Sequence, residues 1–298
     1  MINFNVKFGD MIKSFFIKLI GWLKFISTGK FGIKEFVLDA VNKIDARFGI
    51  KAFIFDIVVK LDTFLEWNVF RNIYKATIEQ NRWILYIEGI INTLIIAFVA
   101  ALIGVFVGVT LSMIVFLNKK TGKLKPFAWL AKGYITVIRG TPVVLQLMIL
   151  YFVVFATWEN GILIGAITFG INSSAYVAEI IRAGFESIDD GQREAGRSLG
   201  LNTWQTMYHI IIPQAIKNTL PPLFNEFITL VKETAIVGYV GIMDLGKVPG
   251  LIQSRTFEYL PPLIIAAVLY LIVVMILTLI LRLIEKVLAK SDRSSSKK

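Results

Sequence analysis

The sequence contains no cysteine and a single histidine, His209. The first absence excludes disulfides, thiol catalysis and cysteine-ligated zinc, and the second excludes a histidine-rich metal site. No G-x-x-x-x-G-K-[ST] occurs, because the Gly-Lys pairs at 29–30, 122–123 and 246–247 are followed by Phe31, Leu124 and Val248. The chain therefore has no phosphate-cradling P-loop. Lys13, Lys18 and Lys24 break up the apolar residues near the start, so no cleavable signal peptide is expected.

Apolar residues are abundant. Of 298 residues 56% are hydrophobic, and charge is missing from residues 89–118, 140–158, 160–178 and 259–281. A helix rises about 1.5 Å per residue and a hydrocarbon core is about 30 Å thick, so each run is long enough, or nearly so, to span. The pattern predicts an all-α polytopic membrane protein.

The net charge of +11 is unevenly spread. Residues 1–87 hold 13 basic and 8 acidic side chains, residues 118–132 five lysines and no acid, and the tail from Arg282 six basic and two acidic groups. Charge that flanks apolar spans reads as the positive-inside rule rather than as affinity for nucleic acid. The rule places the 118–132 connection and the C-terminus in the cytoplasm. Parity then requires residues 214–237 to cross despite Lys217, Glu226, Lys232 and Glu233. Five spans result, at about 89–117, 134–157, 161–184, 214–237 and 260–285, with the N-terminus outside. Residues 11–28 and 31–65 carry apolar stripes at helical spacing, as surface-lying amphipathic helices do.

The polar segment from Glu194 to Pro222 reads as helix, glycine turn, helix. Ser187, Asp189 and Asp190 offer N-caps, Gly200 offers a left-handed stop, and Asn202 with Gln205 forms a capping-box pattern. Pro213 marks the change of pattern. Ala195 and Gly196 would admit a close neighbour, either a partner's groove or the chain's own fold.

The run Glu194-Ala195-Gly196, then Gly200, then Ile210 and Ile212-Pro213 resembles the EAA loop of ABC-importer permeases. Residues 173–236 and the stretch YITVIRGTPVVLQL at 134–147 resemble the polar amino-acid uptake branch of that family, and the likeness covers about 85–290. It implies a five-span type I transmembrane domain at 85–290; the N-terminal amphipathic extension at 1–84 falls outside the likeness, and residues 291–298 form a basic tail. It further implies that the segment is a coupling helix on a bacterial cytoplasmic membrane, with Glu194, Ala195, Gly196, Gly200 and Pro213 engaging an ATPase. The chain would bind no cofactor itself. ATP and Mg would belong to two ABC ATPase subunits, and an external binding protein and a second permease, identical or similar, would complete the importer. Gly196 departs from the alanine of the motif, and Lys232-Glu233-Thr234-Ala235-Ile236 lacks a serine common in related permeases.

Charge at mid-membrane costs at least about 2.5–3.5 kcal/mol on insertion scales, so polar groups there are candidates for the path. They are Arg139, Thr141 and Gln146 around Pro142, then Asn172 and Ser173, then Glu226, Lys232, Glu233 and Thr234. Lys232 with Glu226 or Glu233, and Arg139, match the two charges of an amino acid. Pairing between helices is the other reading, and Glu179 with Arg182 are spaced to pair with each other. An importer for another small solute and an ion-driven transporter or channel are the alternatives for function.

Overall fold

The computed structural model describes residues 69–295. The chain divides into two compact units, Met1–Tyr74 and Lys75–Lys298. The amphipathic stripes expected at 11–28 and 31–65 lie outside the described residues. Among those residues every regular element is helical.

After a short helix α1 (Val69–Thr77), the first long helix, α2, runs Trp83–Thr121. It stops at Gly122, whose φ of +69° suits a residue without Cβ and whose N–H donates to the Asn118 carbonyl at 2.9 Å. Helix α3 (Lys125–Gly140) and the short α4 (Val143–Ile149), extended by a wide π turn over Leu150–Val154, follow. Pro142 has no N–H to continue α3, and it holds Thr141 extended at φ −117°, ψ 143°. The pair is bent by 105°, so the single span read over 134–157 is two helices with a corner.

Helix α5 (Gly161–Glu186) is capped by Asn160, whose Oδ1 accepts from the Leu163 N–H at 3.1 Å. The polar segment then gives α6 (Asp190–Ser198) and the four-residue α7 (Thr203–Thr206). A π turn at Met207–Ile211 leads into α8 (Ile212–Glu233), which carries Pro221 and Pro222 within it. A 3-10 turn (Thr234–Val240), α9 (Val248–Thr256) and the long α10 (Leu260–Ser295) complete the chain.

Helices α2, α5 and α10 are each long and apolar enough to cross a membrane, and bent α3–α4 makes a fourth candidate. Helix α5 is the centre. Phe169 on it is fully buried with Ile96, Ala97 and Ala100 of α2, Leu147 of α4 and Leu230 and Val231 of α8. Small residues let α2 and α5 meet closely: a Cβ at Gly108 would lie 2.7 Å from Val177 Cγ1, and one at Gly170 2.7 Å from Ile103 Cβ.

A second cluster joins Tyr86 at the start of α2 to Leu245, Val248, Ile252 and Ala266. Polar clasps fix its loop: Asn92 Nδ2 donates to the Met243 carbonyl at 2.7 Å, and the Leu245 N–H donates to Thr93 Oγ1 at 3.1 Å. Asp244, fully buried, accepts from the N–H groups of Gly246 and Lys247, both at 2.9 Å, and from the Tyr270 hydroxyl at 3.2 Å. Burial pushes its carboxyl above the ordinary carboxylate range, and those three donors oppose the shift.

Candidate functional site

The loop between α5 and α8 is built locally and rooted in the core. Asp189 Oδ1 accepts from the Gly191 N–H at 2.7 Å and starts α6. Gly200, at φ +78°, turns the chain, and the Leu201 N–H reaches back to the Gly196 carbonyl at 3.1 Å. Asn202 then caps α7 in both directions. Its Oδ1 accepts from Trp204 and Gln205 N–H at 3.0 and 2.9 Å, and its own N–H donates to Gln205 Oε1 at 2.9 Å. Pro213 cannot donate, and just before it the Ile212 N–H bonds back to the Met207 carbonyl, giving the π turn its extra residue. Ile188, Met207, Ile211 and Ala215 bury together against Phe116 and Phe185, which holds the loop to the ends of α2 and α5.

Gly196 is buried, and a Cβ there would lie 2.6 Å from Thr206 Cγ2 and 2.8 Å from its Oγ1. Its lack of a side chain lets α6 close on α7 of the same chain. The neighbours on the other side of α6 turn outward: Glu194, Ala195 and Gly200 are exposed, and Leu199 is 77% exposed. Trp204 and Tyr208 stand out from the second arm of the hairpin, as do His209 and Pro213. This side of the hairpin, with an exposed leucine beside exposed small and acidic residues, is left uncovered by the chain itself.

The membrane-level candidates fall into three groups. Thr141, Gln146 and Asn172 brace the corner at Pro142. Gln146 Nε2 donates to the Ile138 carbonyl at 2.9 Å and to Thr141 Oγ1 at 2.8 Å, and its Oε1 accepts from Asn172 Nδ2 at 3.0 Å. Ser173, the next residue of α5, reaches a different helix and donates to Glu226 Oε1 of α8 at 2.8 Å. Tyr134, which the sequence reading passed over, donates from its hydroxyl to the Ile171 carbonyl at 2.9 Å and bonds Ser174 Oγ at 2.8 Å. Three consecutive polar residues of α5 thus tie it to α4, α8 and α3 in turn.

Arg139 makes the second group. It lies 3.7 Å from Glu179, with its guanidinium 5.4 Å from the centre of the Tyr176 ring. Glu179 also accepts from Arg182 Nε at 3.1 Å, and Arg182 reaches on to Glu186. The pairing expected of Glu179 and Arg182 is present, and it is the middle of a longer ladder. This ladder lines a cavity of about 980 Å³ that extends from Ser112 and Lys119 of α2 and Lys132 of α3 to Arg193 and Arg197 of α6.

Lys232, Glu233 and Thr234 form the third group, at the end of α8. Lys232 is exposed, Thr234 is fully buried and donates to the Val231 carbonyl at 2.9 Å, and neither acid forms an ion pair with Lys232 among the described residues. They stand apart from the Arg139 ladder. Among the described residues no group of acids or histidine is arranged to hold a metal.

Comparison with known proteins completes the picture. The family described as the binding-protein-dependent transport system inner membrane component matches residues 102–290. The arginine transport system permease protein ArtQ of Bacillus subtilis is 41% identical over 222 residues, which cover 74% of this chain and 98% of that protein. The putative glutamine transport system permease protein GlnP of Rickettsia bellii is 40% identical over 225 residues, covering 74% and 100%. A solved amino acid ABC transporter, crystallised with histidines, superposes with a TM-score of 0.63 at 43% identity, over 68% of this chain and 93% of that one. An inward-facing MetNI methionine ABC transporter shares the fold, with a TM-score of 0.58 at 21% identity over 68% and 96%.

Proposed function

Because this chain belongs to the family of binding-protein-dependent transport system inner membrane components, we propose that it is the permease for a polar amino acid and that the α6–α7 hairpin couples it to ATP. As a permease subunit of an ABC importer it is not itself an enzyme; ATP hydrolysis belongs to separate ATPase subunits. The cargo reading is supported by relatives named for arginine and glutamine transport and by a neighbour described as an amino acid transporter.

The observation that carries the coupling reading is the two-sidedness of α6. Gly196 seats the helix on Thr206 of its own hairpin, while Glu194, Ala195 and Leu199 face away from the chain. A helix held on one side and bare on the other can be pushed as a rigid body. Rooted through Met207 and Ile211 to Phe116 and Phe185, it would pass that push to α2 and α5. In this reading Gly200 and Pro213 shape the hairpin, and ATP and Mg are held by the partner. Two ATPase subunits, a second permease and an external binding protein make up the assembly, which resides in the bacterial cytoplasmic membrane. The hairpin and the C-terminus face the cytoplasm, the N-terminus lies outside, and α8 is the fifth span. The amino acid passes the corner braced by Thr141, Gln146 and Asn172, with Arg139 beside Glu179, Ser173 and Glu226 where α5 meets α8, and Lys232, Glu233 and Thr234 at the end of α8 as the other residues of its path.

Glu194→Lys tests the coupling. The variant is expected to reach the membrane in normal amount, to lose co-purification with its ATPase, and to lose at least about 90% of ATP-driven amino-acid uptake, since reversing an interface charge leaves it opposed and desolvated. Normal uptake by that variant would remove the hairpin from the coupling step.

A further inference from the structure

The cavity beside the hairpin carries more positive charge than its ion pairs use. Six basic side chains line it against two acidic ones, Glu179 and Glu186. Arg139 and Arg182 share those two acids, and Arg193 pairs with Asp190 at 2.9 Å. Lys119, Lys132 and Arg197 form no ion pair among the described residues. The same cavity has apolar walls, among them Phe116, Ile135 and Met207.

Its depth is also legible. The charge-free run of α2 ends at Asn118, so Lys119 stands where the apolar span gives way to polar surroundings. One turn from Lys132 on α3, Trp129 is 75% exposed, and tryptophan favours the level of lipid headgroups. A free anion would need the cations but not the apolar walls. A purely apolar ligand would leave three cations unanswered. We propose that this cavity binds an anionic phospholipid, its phosphate held by Lys119, Lys132 and Arg197 and its chains laid against the apolar wall. The site goes beyond the transport reading: its three cations lie outside the proposed path, and Arg139, which lines both, is engaged by Glu179. A lipid there touches α2, α3 and α6 at once, so it would brace the hairpin against the membrane helices.

The test uses the complete transporter in lipid nanodiscs of phosphatidylglycerol and phosphatidylcholine in equal parts, with retained lipid counted by native mass spectrometry. Phosphatidylglycerol should be retained in preference to phosphatidylcholine, and its retention should fall as ionic strength is raised. Both arms need only the unaltered protein. The double substitution Lys119→Gln with Lys132→Gln should lower retention several-fold. Equal retention of the two lipids, insensitivity to salt, or unchanged retention in the double variant would each overturn the site. Displacement of the lipid by millimolar inorganic phosphate would reassign the cations to a free anion. Retention by the isolated permease that vanishes on adding the ATPase would reassign them to an acidic face of that partner.

Discussion

Helices α5 and α10 are both long and apolar enough to cross a membrane, yet they live in opposite surroundings. In its most apolar stretch, 67% of α5 is buried inside the chain, against 6% of α10. The buried helix is the less apolar of the two. A helix wrapped by protein can carry Asn172, Ser173 and Ser174 because its neighbours supply their partners. One that faces outward must do without such groups. Helix α10 meets the fold along one stripe, through Ala266, Leu269, Tyr270, Val273 and Leu277, and leaves Leu271, Met275 and Leu279 exposed.

The comparison breaks most visibly where α2 crosses α5. Gly108→Leu would drive a side chain into Val177 and the Ser174 carbonyl, which a Cβ alone already meets at 2.7 and 2.8 Å. Overpacking of this kind costs about 3 kcal/mol. The thermal midpoint of the purified protein in mild detergent should fall sharply, and an unchanged midpoint would mean that the two helices do not pack this closely. A smaller effect is expected from Ser173→Ala. It removes the donor to Glu226 in a place where a Cβ at Gly104 would lie only 3.0 Å from the serine oxygen, so the gap is narrow. Glu226 is half-buried, so loss of this hydrogen bond costs about 1 kcal/mol. Restoration of the midpoint by adding Glu226→Leu to the variant would confirm that the loss is the unmet hydrogen bond.

The same contrast explains what could be read beforehand. Composition alone sorted out α2, α5 and α10, because lipid and core both demand apolar residues. Asn202, Gln205 and Gly200 announced the hairpin, because caps and turns are set by neighbours in sequence. Which face of each helix is buried was not legible, since an apolar residue suits lipid and protein alike. Gly196 therefore read as open to a partner's groove as readily as to its own fold, whereas the structure turns it onto Thr206, ten residues along the chain. Arg139 read as a group available to a substrate carboxylate, whereas Glu179 lies beside it across the gap between α3 and α5. Tyr134 and the bond from Tyr270 to Asp244 were missed for the same reason. Their partners lie 37 and 26 residues away, and no local spacing reports them.

The finest test of the contrast uses the outward face of α10. Leu271 is 58% exposed, and it follows Tyr270, whose hydroxyl reaches Asp244. If lipid covers Leu271, truncating it loses little, because acyl chains are as apolar as the leucine they replace and fill the space a core would leave empty. Leu271→Ala should then shift stability by less than about 0.5 kcal/mol, the range of surface changes. A buried leucine truncated to alanine costs about 2–5 kcal/mol. The measurement is the detergent midpoint of the assembled transporter, taken beside that of the permease alone. No shift in either leaves α10 as a lipid-facing helix. A shift of 2 kcal/mol or more, on the order expected for a core site, seen only in the assembly would place a protein partner on this face, and the contrast between α5 and α10 would then belong to the isolated chain.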